Sequence, residues 1–242
     1  MHKFLSGKQA TLKCHLLVLD PLVYISYYYK NRQGMNMKIG ILGSGTVAQT
    51  LGKAWAAKNH EIYMGARNPA QDTIIAWQEA QGPKVRVGFL QDAAAFGEVI
   101  LVAINPWTEI EGVVKPLASE LKGKTVIDVS NNINFGGLPK MAFTDQSLGE
   151  ALQSWLPESN IVKTLNIAPA AMMVNPAESG ITPAVGWISG NNEGAKQQVT
   201  TLLKDIGWAE VSDLGGIHQS VLQESIGLTL SIIVTGAMAQ AG

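Results

Sequence analysis

A glycine-rich stretch, with an arginine farther along the chain, is the part of the sequence whose residue types and spacing best suit chemistry. The stretch consists of Gly43, Ser44, Gly45, Thr46, Val47 and Ala48. It follows the apolar run Lys38–Leu42 and leads into a helical pattern up to about Lys58, in which Ala48, Leu51 and Trp55 fall on one stripe. A second apolar run, Glu61–Gly65, comes next. Gly43 permits a tight turn, Gly45 lets the backbone approach a phosphate, and Ala48 keeps the helix close to the strand. A glycine-rich turn without a ligand is the alternative, but the strand–turn–helix–strand order favours a dinucleotide phosphate site.

The end of the second predicted strand indicates which dinucleotide is bound. An NAD site usually places a carboxylate there for the ribose hydroxyls, whereas this chain has Gly65-Ala66-Arg67-Asn68-Pro69. The planar guanidinium of Arg67 suits a 2′-phosphate, and Asn68 beside it is a further candidate ligand. A solvated surface arginine is the alternative. A missing acid together with an arginine predicts NADP as the cofactor.

Two later loops are expected to border the same crevice. They follow the predicted strands Glu98–Ile104 and Thr125–Val129, and ligands of such sheets bind at the carboxyl ends of the strands. Their candidate cofactor-binding residues are Ala103, Ile104, Asn105 and Asn131. Both asparagines suit hydrogen bonds to ribose or to the nicotinamide amide. Asn105 precedes Pro106, so it equally suits the cap of a helix with proline at its first position, and the two roles can coexist.

The alternation of short apolar runs with helical patterns predicts an α/β fold with a Rossmann doubly wound parallel sheet. A small C-terminal α/β unit follows, with strands at Ala184–Ser189 and Ala209–Val211, a helix at Ala195–Ile206, and an apolar helix from about Ile217 to the end. The predicted domains are a nucleotide domain over residues 37–167 and a substrate or dimerisation domain over residues 168–242.

The final helix carries no charged residue from Ser225 to Gly242. A tail anchor is one interpretation, but small and hydroxylated residues are frequent and no flanking lysine or arginine is present. A helix that is apolar all round can also be buried in a core or in a dimer interface. Burial is the expectation.

Composition excludes several classes of function. The 242-residue chain has a net charge of −1, which argues against a nucleic-acid partner and a polybasic membrane-surface protein. One cysteine permits no internal disulfide, and four scattered histidines offer no metal-ligand spacing, so no metal site is expected. A cytoplasmic protein is expected.

Residues 1–36 differ from the rest of the chain. They hold the single cysteine, Cys14, and the run Tyr27–Tyr29, and they show no usable periodicity. Their apolar piece, Leu16–Ile25, is interrupted by Asp20 and Pro21 and is too short to span a bilayer. We interpret them as an extension outside the fold; a targeting or membrane-contact segment and a structural arm are the alternatives.

From Met37 onward the chain resembles the coenzyme F420-dependent NADP oxidoreductase family, a group that also includes the reductase domains of the STEAP metalloreductases. The resemblance lies in Lys38–Ala48, Gly65–Pro69, Val162–Asn166, and Leu214–Gly216 followed by Leu222–Ser225. It implies a two-domain, usually dimeric protein that moves hydride between a nicotinamide and a flavin-like ring. By position, it implies that Ser44–Val47, Arg67, Ile104, Asn131 and Ala170 line the NADP site. No second basic residue stands beside Arg67, so the preference for the 2′-phosphate is expected to be moderate.

No catalytic residue is predicted, since no triad or carboxylate pair is found. His218, Glu224 and Lys163 are candidates for a catalytic or ligand role, and a structural role is favoured for each. Hydride transfer between two flat rings requires positioning in a dry site more than acid–base groups. The expected function is NADP(H)-dependent reduction of a deazaflavin or flavin-like acceptor, with coenzyme F420 or a flavin as the second substrate. Ala168–Met173 and the start of the final helix are expected to form the roof over this acceptor. The alternatives are reduction of a small imine or carbonyl, and an NADP-binding module without catalysis.

Overall fold

In the computed structural model, which describes residues 36–135, 137–179 and 184–241, the apolar runs of the first half form parallel strands. The elements are β1 (Lys38–Leu42), α1 (Thr46–Ala57), β2 (Glu61–Ala66), α2 (Asp72–Glu79), β3 (Val85–Phe89), α3 (Leu90–Phe96), β4 (Val99–Val102) and β5 (Thr125–Asp128). Every residue of β4 and β5 is buried, because parallel strands are covered on both faces. The predicted extension, residues 1–36, lies outside the described residues except for Asn36.

The second half adds strands to the same sheet. Its elements are α6 (Leu148–Trp155), β8 (Asn160–Thr164), α7 (Ala170–Met173), a 3-10 turn (Pro176–Ser179), β9 (Val185–Gly190), α8 (Glu193–Asp205), β10 (Glu210–Asp213), a 3-10 turn (Ile217–Gln219) and α9 (Ser220–Ala241). The strand order is β10-β9-β8-β5-β4-β1-β2-β3, and only β8 and β9 run antiparallel to each other. The predicted α/β class with a doubly wound, mostly parallel sheet is confirmed.

The predicted domain boundary falls between two strands of this sheet, since β8 precedes it and β9 follows it. Trp55 of α1 also joins the two halves: its side chain is fully buried, and its indole N–H donates to the carbonyl oxygen of Leu202 in α8 at 3.0 Å. The stripe of Ala48, Leu51 and Trp55 expected on α1 is buried as predicted. The division into residues 37–167 and 168–242 stays a prediction.

The connection between β4 and β5 is broken into short pieces rather than being one continuous helix. It consists of a 3-10 turn (Trp107–Glu109), α4 (Ile110–Val114), a second 3-10 turn (Lys115–Leu117) and α5 (Ala118–Leu121). Pro116 lies in the second 3-10 turn and lacks the N–H that a continuous helix would use there. A small hairpin after β5, made of β6 (Ile133–Asn134) and β7 (Lys140–Met141), was not predicted.

The first turns of the final helix pack against the rest of the chain. Gln223, Glu224 and Gly227 are buried, whereas Leu230, Ile233 and Val234 are exposed. Burial in the core of one chain therefore holds only for the first turns among the described residues, and burial of the remainder in a dimer interface stays a prediction. Among the described residues, no helix has both the length and the apolar character needed to cross a membrane.

Candidate functional site

A cleft of about 1000 Å³ opens at the carboxyl ends of β1, β2, β4 and β5. This is the point where β1 has β2 on one side and β4 on the other, so the strand order reverses and the following loops separate. The lining residues come mostly from those loops: Gly43, Ser44, Gly45, Thr46, Val47, Ala66, Arg67, Leu90, Val102, Ala103, Ile104, Asn105, Pro106, Trp107, Thr108, Glu109, Val113, Val129, Ser130, Asn131, Ile133, Asn134, Phe135 and Ser231. Ten of the thirteen predicted cofactor-binding residues are in this set: the five from Gly43 to Val47, Arg67, the three from Ala103 to Asn105, and Asn131.

The glycine turn is held by its backbone. Gly43 has φ +119°, its N–H donates to the carbonyl oxygen of Gly65 at 3.0 Å, and a Cβ there would lie 2.2 Å from the carbonyl oxygen of Ala103. The side chain of Gln49, one turn into α1, donates to the carbonyl oxygen of Ser44 at 2.9 Å. Only glycine therefore fits at position 43.

Gly45 differs from Gly43, because a Cβ added there would meet no atom within 4 Å. Gly45 is the N-cap of α1, which has no side-chain cap and no acidic residue in its first turn. The N–H groups at the start of this twelve-residue helix are thus available to a phosphate. The missing Cβ at Gly45 and the uncapped helix fit a pyrophosphate, so this turn would hold the phosphates of a dinucleotide.

Arg67 directly follows β2 and lines the cleft with an exposed side chain. Among the described residues it makes no ion pair, so its guanidinium is available to a ligand. Asn68 is exposed and lies outside the lining. The structure therefore places the residue predicted to hold a 2′-phosphate within the cleft, and the role of Asn68 stays a prediction.

The two asparagines of the other loops differ in their surroundings. Asn105 is exposed in the cleft, but it does not cap a helix: the turn begins at Trp107, and Pro106 before it has extended backbone with ψ 157°.

Asn131 lines the cleft, and its amide is paired with Asn166. It donates to the backbone carbonyl oxygen of Asn166 at 2.7 Å and accepts from the Asn166 amide nitrogen at 2.8 Å. Its contact with a cofactor stays a prediction.

A buried ammonium group positions the loop that carries Asn131. Lys163 of β8 is fully buried, and its Nζ donates to Asp128 Oδ2 at 2.8 Å, Glu224 Oε1 at 2.7 Å and the carbonyl oxygen of Ser130 at 2.6 Å. Burial lowers the pKa of Lys163, but the charges and hydrogen bonds of the two carboxylates outweigh it, so the pKa lies above its ordinary value. With all three of its donors used, Lys163 is structural, as the sequence favoured.

Glu224 and His218, the other two candidates for a catalytic or ligand role, also have structural positions. Glu224 is buried and accepts hydrogen bonds from the backbone N–H groups of Leu148 and Gly149 at the start of α6, at 3.0 and 3.2 Å. His218 is exposed in the 3-10 turn before α9, where its ring contacts the side chain of Gln219 at 3.1 Å. Neither lines the cleft.

Ala48, Ala170 and the expected roof segment Ala168–Met173 do not line the cleft. Ala48 is fully buried against the sheet, which suits the packing role that the fingerprint assigns to it. Ala170 lies on α7, and no residue of Ala168–Met173 lines the cleft. The final helix does reach the cleft, but at Ser231 rather than at its start, so the expected roof does not border the cleft as predicted. The cofactor role of Ala170 stays a prediction.

Several lining residues were missed. Trp107, Glu109, Ile133, Phe135 and Ser231 all border the cleft. The sequence carried a signal for part of this wall, since the Gly136-Gly137 pair after a short apolar run is typical of a hairpin connection. The sequence analysis expects the start of the final helix at this site, but no signal in the sequence singles out Ser231, which lies farther along that helix.

The strand order, the glycine turn at the switch point and Arg67 after β2 define a Rossmann-type dinucleotide-binding protein of the NADP class. Comparisons agree with this class. The family described as NADP oxidoreductase coenzyme F420-dependent matches residues 38–132. The F420-dependent NADP reductase of Methanocaldococcus jannaschii is 31% identical, over 78% of this chain and 89% of the relative. The chain therefore belongs to the family of coenzyme F420-dependent NADP oxidoreductases, as the resemblance indicated.

A solved structure extends the similarity to the fold. The crystal structure of a candidate F420-dependent NADP reductase from Arthrobacter sp. FB24 has a TM-score of 0.77 at 33% identity, and the match covers 84% of this chain and 96% of that one. Metalloreductase STEAP3 of Rattus norvegicus is 30% identical over 80% of this chain, which spans only 37% of that longer protein. An imine reductase from Myxococcus stipitatus, at 15% identity and a TM-score of 0.60, shows the shared fold alone.

Replacing the two glycines of the turn is predicted to separate ligand binding from folding. Gly45→Ala places a methyl group in open space and leaves the thermal midpoint within a few degrees of the wild type, but weakens NADPH binding by roughly ten-fold, about 1.4 kcal/mol. Gly43→Ala lowers the thermal midpoint, because a residue with a Cβ is strained at φ +119° and clashes with the Ala103 carbonyl.

Thermal unfolding and fluorescence titration with NADPH measure the two effects. Gly112→Ala on α4, where a Cβ also meets nothing within 4 Å, is the control and should change neither quantity appreciably. Unchanged NADPH affinity in Gly45→Ala would place the phosphates elsewhere.

Proposed function

We propose that this protein transfers hydride from NADPH to a planar flavin-type or deazaflavin acceptor. The observation that carries the proposal is the division of the cleft. The glycine turn and Arg67 lie toward β1 and β2, whereas aromatic and apolar side chains, Trp107 and Phe135 among them, line the part beyond β4 and β5. A cleft of about 1000 Å³ is at the upper end of the range for small-molecule sites and suits two flat ligands together.

This reaction requires that the nicotinamide and the acceptor ring be held in position, and it requires no catalytic acid from the protein. NADPH supplies a hydride from its nicotinamide, and the acceptor ring takes that hydride together with a proton from solvent. The chain contributes backbone N–H groups for the phosphates, Arg67 for a 2′-phosphate, and walls that keep the two rings face to face at ~3–3.5 Å. Among the residues that the structure describes, the charged ones that line the cleft are Arg67 and Glu109.

This charge distribution disfavours a small anionic keto acid. Such a substrate needs a cationic group near its carboxylate, and no arginine occurs after Arg86 in the whole sequence. Lys163, the buried lysine nearest the cleft loops, has all its donors bound. Reduction of an imine or carbonyl is supported by fold similarity alone.

Initial rates of NADPH oxidation test the proposal, acceptor by acceptor. Riboflavin, FMN and coenzyme F420 are expected to oxidise NADPH faster than pyruvate or 1-pyrroline-5-carboxylate, because the wall beyond β4 matches a flat ring. A keto acid or cyclic imine faster than every flavin-type acceptor would contradict the proposal, and no turnover with any acceptor would favour a module without catalysis.

Arg67 is predicted to determine the choice between NADPH and NADH. A hydrogen bond to a charged group contributes ~1.5–3 kcal/mol, which is roughly 10- to 150-fold in affinity. Arg67→Ala is therefore expected to weaken NADPH binding by that factor and to leave NADH binding nearly unchanged, as measured by fluorescence titration. Arg86→Ala is the matched control, because Arg86 is exposed on β3 beside Glu61 and outside the cleft. Equal losses for both cofactors would show that Arg67 does not contact the 2′-phosphate.

We also propose that α9 joins two copies of the chain. Its exposed large apolar side chains are Val221, Leu222, Ile226, Leu230, Ile232, Ile233 and Val234. Contiguous apolar surface of this kind is unfavourable in water. The other exposed large apolar residues that the structure describes lie singly or in pairs on separate elements. The surface that best complements α9 is therefore α9 of a second copy, related to the first by a twofold axis.

Light scattering of the purified protein is expected to give a dimer, and Ile233→Glu is expected to shift it to monomer, because a carboxylate would be buried in a charge-free interface. Ile75→Glu, an equivalent change at an exposed position of α2, serves as the control. A monomeric wild type, or a dimer in the Ile233→Glu variant, would contradict the proposal.

A further inference from the structure

The face of α9 that packs against the rest of the chain is polar, although its outer face is apolar. Among the α9 positions whose side chains the structure describes, the buried ones are Ser220, Gln223, Glu224 and Gly227. Their spacing of three and four residues places them on one side of the helix. None of them has an apolar side chain, so non-directional apolar packing contributes little to how this face is seated.

Hydrogen bonds made by this inner face fix the position of α9. The side-chain oxygen of Gln223 accepts from Ser189 Oγ at 2.6 Å, and Glu224 Oε1 accepts from the Lys163 ammonium at 2.7 Å. The backbone carbonyl oxygen of Gln223 also accepts from the Asn166 amide nitrogen at 2.9 Å. Hydrogen bonds weaken steeply when they are misaligned, so the helix has little freedom to slide or rotate.

One helical turn farther along, Gly227 lies against the side chain of Asn131. A Cβ at Gly227 would be 2.5 Å from Asn131 Oδ1 and 3.1 Å from its Cγ, whereas ordinary heavy-atom contacts lie at about 3.5–4 Å. The Asn131 amide is held in place, because it donates to the Asn166 carbonyl oxygen at 2.7 Å and accepts from the Asn166 amide nitrogen at 2.8 Å. A side chain at position 227 would therefore displace either Asn131 or α9 by about 1 Å.

Both sides of this contact reach the cleft. Asn131 lines it, and so does Ser231, which follows Gly227 by about one turn of α9. Gly227 itself is not part of the lining. Asn131 lies after β5, with β4 and β1 between that strand and β2, which Arg67 follows. A shift at the Gly227 contact would therefore change the cleft wall beyond β5 and leave the glycine turn and Arg67 in place.

We propose that Gly227 is a positioning residue for hydride transfer. Because it has no side chain, α9 and Asn131 can meet, and this contact holds the cleft wall that keeps the nicotinamide at reacting distance from its acceptor. The proposal rests on the proposed function. Gly227 acts through Asn131 and Ser231, so its replacement is expected to affect the rate of hydride transfer far more than the affinity for NADPH.

Gly227→Ala tests the proposal, and Gly236→Ala is the matched control. Both changes give α9 the same gain in helix propensity, but a Cβ at Gly236 meets no atom within 4 Å. Since a misplacement of about 1 Å costs up to ~100-fold in rate, Gly227→Ala is expected to lower kcat for NADPH oxidation by roughly 10- to 100-fold. The Kd for NADPH is expected to change by less than about two-fold.

The acceptor in this assay is riboflavin, FMN or coenzyme F420, whichever oxidises NADPH fastest with the wild type. Gly236→Ala should keep the wild-type kcat and Kd. A wild-type kcat in Gly227→Ala, or an NADPH affinity that falls as much as kcat does, would overturn the positioning role.

A double variant separates this contact from a general effect on the fold. In Asn131→Ala the amide that the new methyl group would meet is absent, so adding Gly227→Ala is expected to lower kcat no further. Residues in contact give non-additive effects of this kind, whereas independent residues give additive ones. Additive losses of kcat would show that Gly227→Ala acts elsewhere, and the assignment of Gly227 would be wrong.

Asn166→Ala tests the same contact without added bulk, should Gly227→Ala fail to fold. It removes both partners of the Asn131 amide and is expected to lower kcat, with the Kd for NADPH again within about two-fold of the wild type. Asn160→Ala is the control, because Asn160 lies at the other end of β8, donates to the Gly123 carbonyl oxygen at 3.2 Å and is outside the lining. An unchanged kcat in Asn166→Ala would contradict the proposal.

The fluorescence lifetime of bound NADPH separates this inference from the proposed function, because it reports how firmly the nicotinamide is held without any acceptor. A shorter lifetime in Gly227→Ala than in Gly236→Ala, with both proteins saturated, supports the positioning role even if no acceptor oxidises NADPH. In that case only the proposed function fails. Equal lifetimes in the two variants overturn the positioning role.

Discussion

The ammonium group of Lys163 has to be paired wherever the fold places it, because an unpaired charge in a protein interior costs several kcal/mol. Its three acceptors come from three parts of the chain: Asp128 at the end of β5, the carbonyl of Ser130 in the next loop, and Glu224 on α9. Glu224 also accepts from the first N–H groups of α6. One buried charge thus joins two neighbouring strands, the loop that lines the cleft, and two helices.

The loop positions that follow from this network determine the cleft. Ser130 and Asn131 cannot move without breaking contacts to Lys163 and Asn166, so the border of the cleft beyond β5 is rigid. Gly227 allows α9 to approach closely, since a Cβ there would lie 2.5 Å from Asn131 Oδ1. A fixed border suits the proposed hydride transfer, because its rate would depend on holding two rings at contact distance rather than on proton-transfer groups.

In the proposed function, backbone groups recognise the phosphates of the dinucleotide, and side chains select the cofactor and its acceptor. The phosphates of a dinucleotide would meet N–H groups at the start of α1, where the absence of a Cβ at Gly45 leaves space. The proposed function assigns side chains to the two ends of the cleft, with Arg67 near β2 and the aromatic residues Trp107 and Phe135 beyond β4 and β5. A phosphate site made of backbone depends on the missing side chains at Gly43 and Gly45 rather than on particular side-chain groups.

The sequence by itself determined those features that depend on residues close together in the chain. The glycine turn, the burial of Ala48, Leu51 and Trp55, and the strand before each loop follow from short spacings, and the structure confirms them. The NADP class follows from Arg67 in place of a carboxylate. These features depend on neighbours in the chain, so periodicity and residue type are enough to predict them.

Tertiary structure alone decided which distant residues share the cleft. Trp107 and Phe135 meet there because the sheet order brings their loops together. Ser231 reaches the same cleft because α9 packs at Gly227 against Asn131, whereas the segment Ala168–Met173 lies outside the lining. The sequence likewise favoured a buried final helix, but whether apolar side chains are covered depends on surfaces far away in the chain. Leu230 and Ile233 are apolar in either case; only the packing of the whole chain leaves them exposed.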